Sequence, residues 1–386
     1  MQLWMRSTFF LFFFSWATFL SYWGLYLSAR GFATGEIGMS ITVSLITRSL
    51  AVVTLFPMLN ERLPLLRVAR LFCWSSLLLA IAFLPVTGYA GLLVVSALFG
   101  LTYPTIMPVL ETAATLGAQR GAIVYGPVRM LGSLGFIVGA GANGLVSSYF
   151  GNEQLIWVLI GSVALLAVMA QFPLGEDGVA NQRSGPTVSS WLPLLRRRDV
   201  RYGIGLIVLM QSSHAAYYAF GTLRLEHLGA TPQLISIAMM LAPIFEIAVF
   251  QMVGSRIERV SLPLLYAVAA AGGVLRWLLW AFSQSVLVLG ASQLLHGITF
   301  ALVQVAFIQF LRARVAPELM SPAQGLYAAL GLGVGSAVTT AVAGALMDSS
   351  PELAFSLMAA VCLAVIALAP GFAKSLREPA PGAEAN

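Results

Sequence analysis

Apolar runs follow one another along the 386-residue chain with only short polar breaks between them. A helix needs about 20 apolar residues to cross about 30 Å of hydrocarbon. Twelve segments reach that length: 5–28, 36–58, 67–86, 90–115, 121–149, 154–173, 201–222, 233–254, 261–282, 285–311, 319–346 and 352–370. The thinnest separations fall near 86–90 and 282–285, where Pro85, Gly88 and Ser283 mark short turns. The pattern predicts an all-α membrane protein of twelve transmembrane helices. One longer polar stretch, Leu174 to Asp199, carries Gly175, Gly178, Gly185 and Pro186 and ends in Arg196, Arg197 and Arg198. It divides the chain into a six-helix half at 1–173, a linker at 174–200, a second six-helix half at 201–373 and a tail at 374–386.

Charge gives the twelve segments an orientation. Alternate loops hold Arg62, Arg67 and Arg70, then Arg120, Arg183 with the arginine triplet, Arg256 with Arg259, Arg312 with Arg314, and Lys374 with Arg377. The intervening loops hold little more than Arg30 with Glu36, Glu153, Arg224 with Glu226, and Asp348 with Glu352. Basic excess marks the cytoplasmic side, so both termini and the linker are expected there. The halves also echo one another. Leu27 to Gly31 before the second segment matches Leu225 to Gly229 before the eighth, and Glu61-Arg62 matches Glu258-Arg259. That points to two pseudo-symmetric bundles related by internal duplication in parallel orientation.

Composition strengthens the membrane reading. Hydrophobic residues make up 59% of the chain and charged residues 9%, with a mean hydropathy of +0.88; soluble domains carry roughly 25% charged residues. The net charge of +6 is spread over segment ends, which suits membrane anchoring and not nucleic acid. Leu3 to Leu27 is too long for a signal peptide, holds only Arg6 and is followed by another apolar segment, so it reads as the first span. Cys73 and Cys362 sit in apolar segments without metal-ligand spacing and read as small core residues. No cofactor is expected, nor an enzyme: no nucleophile triad, metal cluster, phosphate loop or soluble domain stands out. The expected partners are protons, a small organic solute and lipid, with the protein a monomer.

The candidate chemistry lies in seven ionisable residues inside apolar segments: Arg48, Glu111, Arg129, His214, Glu246, Arg276 and His296. A charge in hydrocarbon usually lines a polar cavity or is paired. Glu246 follows Pro243 by one turn, has no basic neighbour in sequence and is the first candidate for proton coupling. A carboxylate that moves between apolar and polar surroundings exchanges a proton; the structural alternative is a static pair with Arg276. His214, about 20 Å into the seventh segment at 1.5 Å per residue, is a second proton site and a substrate contact. Tyr217 and Tyr218 follow it as further candidate substrate contacts for a ring and a hydroxyl or carboxylate, and Tyr217 is expected to share its broad face. Arg48 suits a carboxylate solute, because guanidinium matches carboxylate in a two-pronged geometry. Glu111 and Arg129 reach comparable depth on neighbouring segments and are expected to pair as a structural or gating charge. Arg276, with Trp277, is placed toward an outer gate or snorkelling to the interface. His296 is a second polar lining residue. Tyr22 and Tyr26 share a face at the outer end of the first segment and would form a substrate-entry surface if they point inward.

This layout resembles the major facilitator superfamily, and within it the branch of the phenylpropionate transporter and its nucleoside- and oligosaccharide-proton symporter relatives. The resemblance is carried by Phe19 to Leu27 with Gly31-Phe32, Tyr125 to Ser133, Gln211 to Phe220, Glu246, Val274 to Trp277 and Gln293 to His296. The superfamily's hallmark loop is reduced here to Asn60 to Arg67 and lacks its usual glycine and aspartate. The resemblance implies a proton-driven importer in the bacterial inner membrane working by alternating access. The embedded arginines and aromatic residues favour a small aromatic carboxylate as solute. A nucleoside or short sugar suits the tyrosines and glutamines. Proton-antiport efflux of an amphipathic compound and a non-transporting sensor or scaffold are the other readings.

Overall fold

The computed structural model describes residues 1–172, 191–257 and 259–378. Most of the expected linker with Arg183, Glu258 of the repeated pair and residues 379–386 of the tail lie outside the described residues.

Every described element is helical. Among the described residues, eleven helices are long and apolar enough to cross a membrane. In chain order, with two shorter helices, they are α1 Gln2–Ala29, α2 Thr34–Arg62, α3 Leu65–Ala82, α4 Tyr89–Gln119, α5 Tyr125–Phe150, α6 Asn152–Met169, α7 Arg198–Ser212, α8 Ala215–His227, α9 Pro232–Met252, α10 Leu262–Phe282, α11 Val286–Arg314, α12 Glu318–Met347 and α13 Pro351–Ser375. The predicted segment 201–222 is therefore two helices meeting at Ser213 and His214. Three consecutive side chains explain the interruption. Ser212 Oγ donates to the Val208 carbonyl at 2.7 Å, Ser213 Oγ to that of Met210 at 2.7 Å, and His214 Nδ1 lies 2.9 Å from the same Met210 oxygen. Side chains that take carbonyls of the preceding turn compete with the helical ladder.

Several long helices carry a widened π turn: Thr18–Tyr22 in α1, Ala51–Leu55 in α2, Gly297–Leu302 in α11 and Ala328–Gly335 in α12. α4 is interrupted by a turn at Tyr103 to Thr105 that contains Pro104. Such interruptions frequently mark functional sites.

α1 packs along α5, α2 along α4 and α3 along α6; later in the chain α10 and α7 pack on α13, and α9 on α11. Two long crossings join the first six helices to the later ones, α2 with α12 and α5 with α9. Close approach there depends on residues without side chains. A Cβ on Gly38 of α2 would stand 2.9 Å from the Cα of Gly344 on α12, and one on Gly144 of α5 would stand 2.4 Å from the Cβ of Ser236 on α9. Within the first set, Gly135 and Gly139 of α5 lie against the backbone of α1 at Phe10 and Phe14.

The hydrogen bonds between the two sets are concentrated toward one end, near the arginine-poor loops. Asn152 Nδ2 donates to Glu226 Oε1 at 2.6 Å, Thr222 Oγ1 to the Ser21 carbonyl at 2.6 Å, Ser236 Oγ to that of Ala140 at 3.1 Å and Thr42 Oγ1 to that of Ala337 at 3.2 Å. Toward the arginine-rich end each set is tied to itself: Arg70 to the Ala170 and Gln171 carbonyls at 2.9 Å, and Arg314 to Asp199 at 2.9 Å. Among the described residues, no salt bridge crosses between the sets there.

Candidate functional site

The space between the two sets of helices holds a cavity of about 270 Å³ with an aromatic wall from α1, namely Phe12, Phe13, Trp16 and Phe19. Opposite stand Gln211 of α7, Tyr218 of α8 and Phe300 of α11, with Arg48 of α2 and Arg129 of α5 also in the lining. The widened turns contribute directly, since Phe19, Leu20, Phe300 and Leu332 belong to them. A second lobe of about 140 Å³ shares Phe13, Trp16, Arg129, Tyr218 and Phe300 and reaches Tyr217, Glu246 and His296.

Arg48 and Arg129 differ in company. Arg129 lies 3.6 Å from Glu111, which also accepts a hydrogen bond from Tyr125 Oη at 2.7 Å, and its guanidinium stands 4.6 Å from the Phe13 ring. The expected Glu111–Arg129 pair is thus present. Arg48 has no carboxylate within salt-bridge distance among the described residues; its guanidinium lies 5.7 Å from the Trp16 ring. A cation in an aromatic cavity without an acid of its own is a ready seat for an anion.

Beside the cavity is a buried polar cluster. Arg276 is fully buried, with its guanidinium 4.6 Å from the Tyr217 ring and 4.5 Å from that of Trp277. It bonds His296 Nδ1 at 2.9 Å, Gln293 Oε1 at 2.6 Å and Thr299 Oγ1 at 3.3 Å. Guanidinium only donates, so His296 Nδ1 must accept and the ring's proton sits on Nε2. That nitrogen is 3.9 Å from Glu246 Oε2. In His214, Nδ1 donates to the Met210 carbonyl, and Nε2 lies 3.1 Å from Thr299 Oγ1, a hydroxyl that can donate or accept. Adding a proton to His296 Nδ1 would set donor against donor with Arg276, whereas Glu246 can take one without breaking a bond.

Several expectations change at this point. His296, not Arg276, faces Glu246, and stands between the two. Arg276 neither snorkels nor lies at an interface; it is the centre of the buried cluster. His214 stacks on Tyr218, with ring centroids 5.9 Å apart, while Tyr217 turns toward Trp280 and Trp277 at 5.4 and 6.1 Å. Tyr22 and Tyr26 are buried away from the cavity: Tyr22 Oη donates to the Ala140 carbonyl at 3.1 Å, and Tyr26 accepts from Arg30 at 3.1 Å.

Gln211, which the sequence offers only as one of the glutamines suited to a hydroxyl-rich solute, stands at the cavity. It is 2% exposed, lines the cavity, and neither its amide nitrogen nor its oxygen has a hydrogen-bond partner. A buried amide left open on both sides needs a partner the protein does not supply, a water or a solute. Phe12, Phe13 and Trp16 were hidden, because a first segment rich in aromatic residues reads equally well as lipid-facing.

An aromatic cavity between two sets of membrane-crossing helices, with embedded charges and one tied end, defines a membrane transporter. The chain belongs to the MFS_1 like family of the major facilitator superfamily, whose model matches residues 2–357. It therefore carries out secondary active transport of a small solute across a membrane. It is 27% identical over 369 residues to the probable 3-phenylpropionic acid transporter of Escherichia coli (strain K12), covering 95% of this chain and 97% of that protein. It is 25% identical over 282 residues to the maltose permease of Geobacillus stearothermophilus, covering 72% and 70% of the two chains. The crystal structure of the nucleoside transporter NupG superposes with a TM-score of 0.83 at 16% identity, over 98% of this chain and 99% of the other.

Proposed function

We propose that the protein is a proton-coupled importer of a small aromatic carboxylate. In this reading twelve spans form two six-helix bundles, 1–173 and 201–373, that rock about the cavity in the bacterial inner membrane. The termini and the 174–200 linker face the cytoplasm, and the protein works as a monomer. With the basic loops cytoplasmic, the tied end is external and this is an inward-facing state.

The observation that carries the substrate class is Arg48, a guanidinium without an acid partner in a wall of aromatic rings. The solute's carboxylate would meet Arg48 and its ring the Phe12, Phe13, Trp16 and Phe19 surface, with Gln211 open to a hydroxyl or carbonyl. The relative described as a probable 3-phenylpropionic acid transporter matches almost end to end and supports this choice. Coupling falls to Glu246. Charged, it faces His296 and, through it, Arg276⁺; protonated, it loses that attraction and the arrangement of α9, α10 and α11 changes its balance. Proton and solute then favour the same inward transition and are linked reciprocally.

A nucleoside or short sugar is the second reading. It is favoured by the unpartnered amide of Gln211, the Ser336 and Thr340 hydroxyls in the lining, and the maltose permease and nucleoside transporter likenesses.

The test is proton flux in proteoliposomes on addition of aromatic acids, nucleosides or short sugars, for wild type and Glu246→Gln. Alkalinisation outside with aromatic acids, lost in the variant, is the expected result. A response to nucleosides or sugars alone moves the assignment to the second reading. Flux that survives in Glu246→Gln removes Glu246 from coupling, and solute-driven proton movement of the opposite sign identifies antiport.

A further inference from the structure

Away from the transport cavity, a groove of about 340 Å³ opens at the arginine-rich end between α7 and α13. Arg198, Arg201, Tyr202, Gly205 and Leu206 of α7 line one wall and Leu368 of α13 the other. Positions 198, 201, 202 and 205 fall at helical i, i+3, i+4 and i+7 spacing, hence on one face. The groove has a polarity gradient. Two exposed guanidinium-bearing residues stand at its mouth, followed by Tyr202, whose hydroxyl abuts Gly371 so closely that a Cβ there would lie 2.5 Å from it. Beyond the tyrosine the lining is Gly205, Leu206 and Leu368. A Cβ on Gly205 would meet nothing within 4 Å, so the slot stays open along the helix.

The neighbouring chain has the character of a bilayer interface. The short helix Leu192–Arg196 leads into α7 with Leu192 56% and Leu195 39% exposed beside the exposed Arg196. Basic residues at the ends of membrane helices, next to exposed apolar ones, sit at headgroup level. The two mouth arginines are only lightly engaged. Arg201 uses Nη1 to hold the Leu195 and Arg196 carbonyls at 3.0 and 3.2 Å. Arg198 faces the exposed carboxylate of Glu378 at 3.6 Å, which demonstrates that an oxyanion fits against it.

We propose that this groove binds an anionic phospholipid, its phosphate between Arg198 and Arg201 and one acyl chain along Gly205, Leu206 and Leu368. Charge complementarity selects the headgroup, and the gradient from guanidinium to leucine matches phosphate, glycerol and chain in order. Glu378 is the internal competitor for Arg198, so the C-terminal tail and the lipid exclude one another there. The site is independent of the transported solute.

Delipidated full-length protein in neutral detergent would be titrated with phosphatidylglycerol, phosphatidylcholine or inorganic phosphate, and bound lipid counted by native mass spectrometry. Phosphatidylglycerol is expected to bind at one saturable site in preference to phosphatidylcholine. Arg198→Gln with Arg201→Gln should weaken it by about fivefold per arginine, the worth of one basic residue near an anionic surface. Gly205→Leu should also weaken it although both charges remain, and Glu378→Gln should strengthen it. Equal binding of the two lipids overturns the proposal, as does displacement of phosphatidylglycerol by equimolar inorganic phosphate. If the double arginine variant does not fold, unchanged affinity in both Gly205→Leu and Glu378→Gln rejects it.

Discussion

In the proposed reading, the substrate class turns on Arg48. Hydrogen bonds to a charged partner are worth about 1.5–3 kcal/mol. In the proposed reading, Arg48→Gln is expected to raise KM for an aromatic acid roughly ten- to a hundredfold, with a smaller effect on kcat. Uptake assays with an aromatic acid and a neutral ring-bearing solute check this, since a neutral solute should be nearly indifferent to the change. Arg276 shows why a residue's type can be read from sequence while its role cannot. The sequence shows a guanidinium in an apolar segment; Trp277, Tyr217, Gln293 and His296 come from three helices to enclose it. Once it is enclosed, its donors dictate the tautomer of His296, and that in turn sets Nε2–H toward Glu246. None of these constraints exists along the chain.

At the scale of elements, the glycines and widened turns connect packing to motion. The α2–α12 crossing is tight because Gly38 and Gly344 meet backbone to backbone. A larger residue there would hold the two helices apart. Gly38→Leu is expected to reduce uptake by roughly tenfold or more while leaving the amount of membrane-inserted protein unchanged, because small residues set how closely helices approach. A cysteine at Thr340, in the cavity lining, should then react faster with a water-soluble thiol reagent added from the proposed external side. The widened turns were not legible in the sequence, because a π turn adds one residue to a helix without altering its apolar composition, and neighbouring helices decide where that residue is accommodated.

Across the whole molecule, the tied end and the arginine-rich end make opposite predictions. Asn152 and Glu226 belong to different sets of helices and bond at 2.6 Å. Replacing both with cysteine and joining them by oxidation or a short bifunctional reagent should stop uptake, and reductant should restore it where the link is a disulfide. Cys73 and Cys362 are buried and should not interfere. At the other end, Asp199 lies ahead of the apolar stretch 201–222 and is gripped by Arg197 and Arg314. Burial alone would raise its carboxyl, but hydrogen bonds from the two arginines outweigh burial and hold it below the usual carboxylate range. Its folded value is thus below the unfolded one, about 3.9. The stabilisation is complete above that pH and is lost as pH falls through the folded value. Asp199→Asn is expected to lower Tm at neutral pH, with the gap to wild type closing below about pH 4, as measured by thermal unfolding in detergent.

By itself, the sequence determined that the chain is a helical membrane protein, where most helices begin and end, and which residue types lie in apolar surroundings. Those follow from hydrophobic length, from the cost of charge in hydrocarbon and from the loop arginines, all local quantities. It also held the Glu111–Arg129 pair, because adjacent helices of comparable depth leave little choice of partner. Only the tertiary structure decided that 201–222 breaks at Ser213 and His214, that Tyr22 and Tyr26 turn into packing, and that Gln211 is left open beside the aromatic wall. It alone set His296 between Arg276 and Glu246. Which face of a helix looks inward depends on the neighbours it packs against, and in a chain whose helices are apolar almost all round, periodicity carries too little contrast to reveal that face.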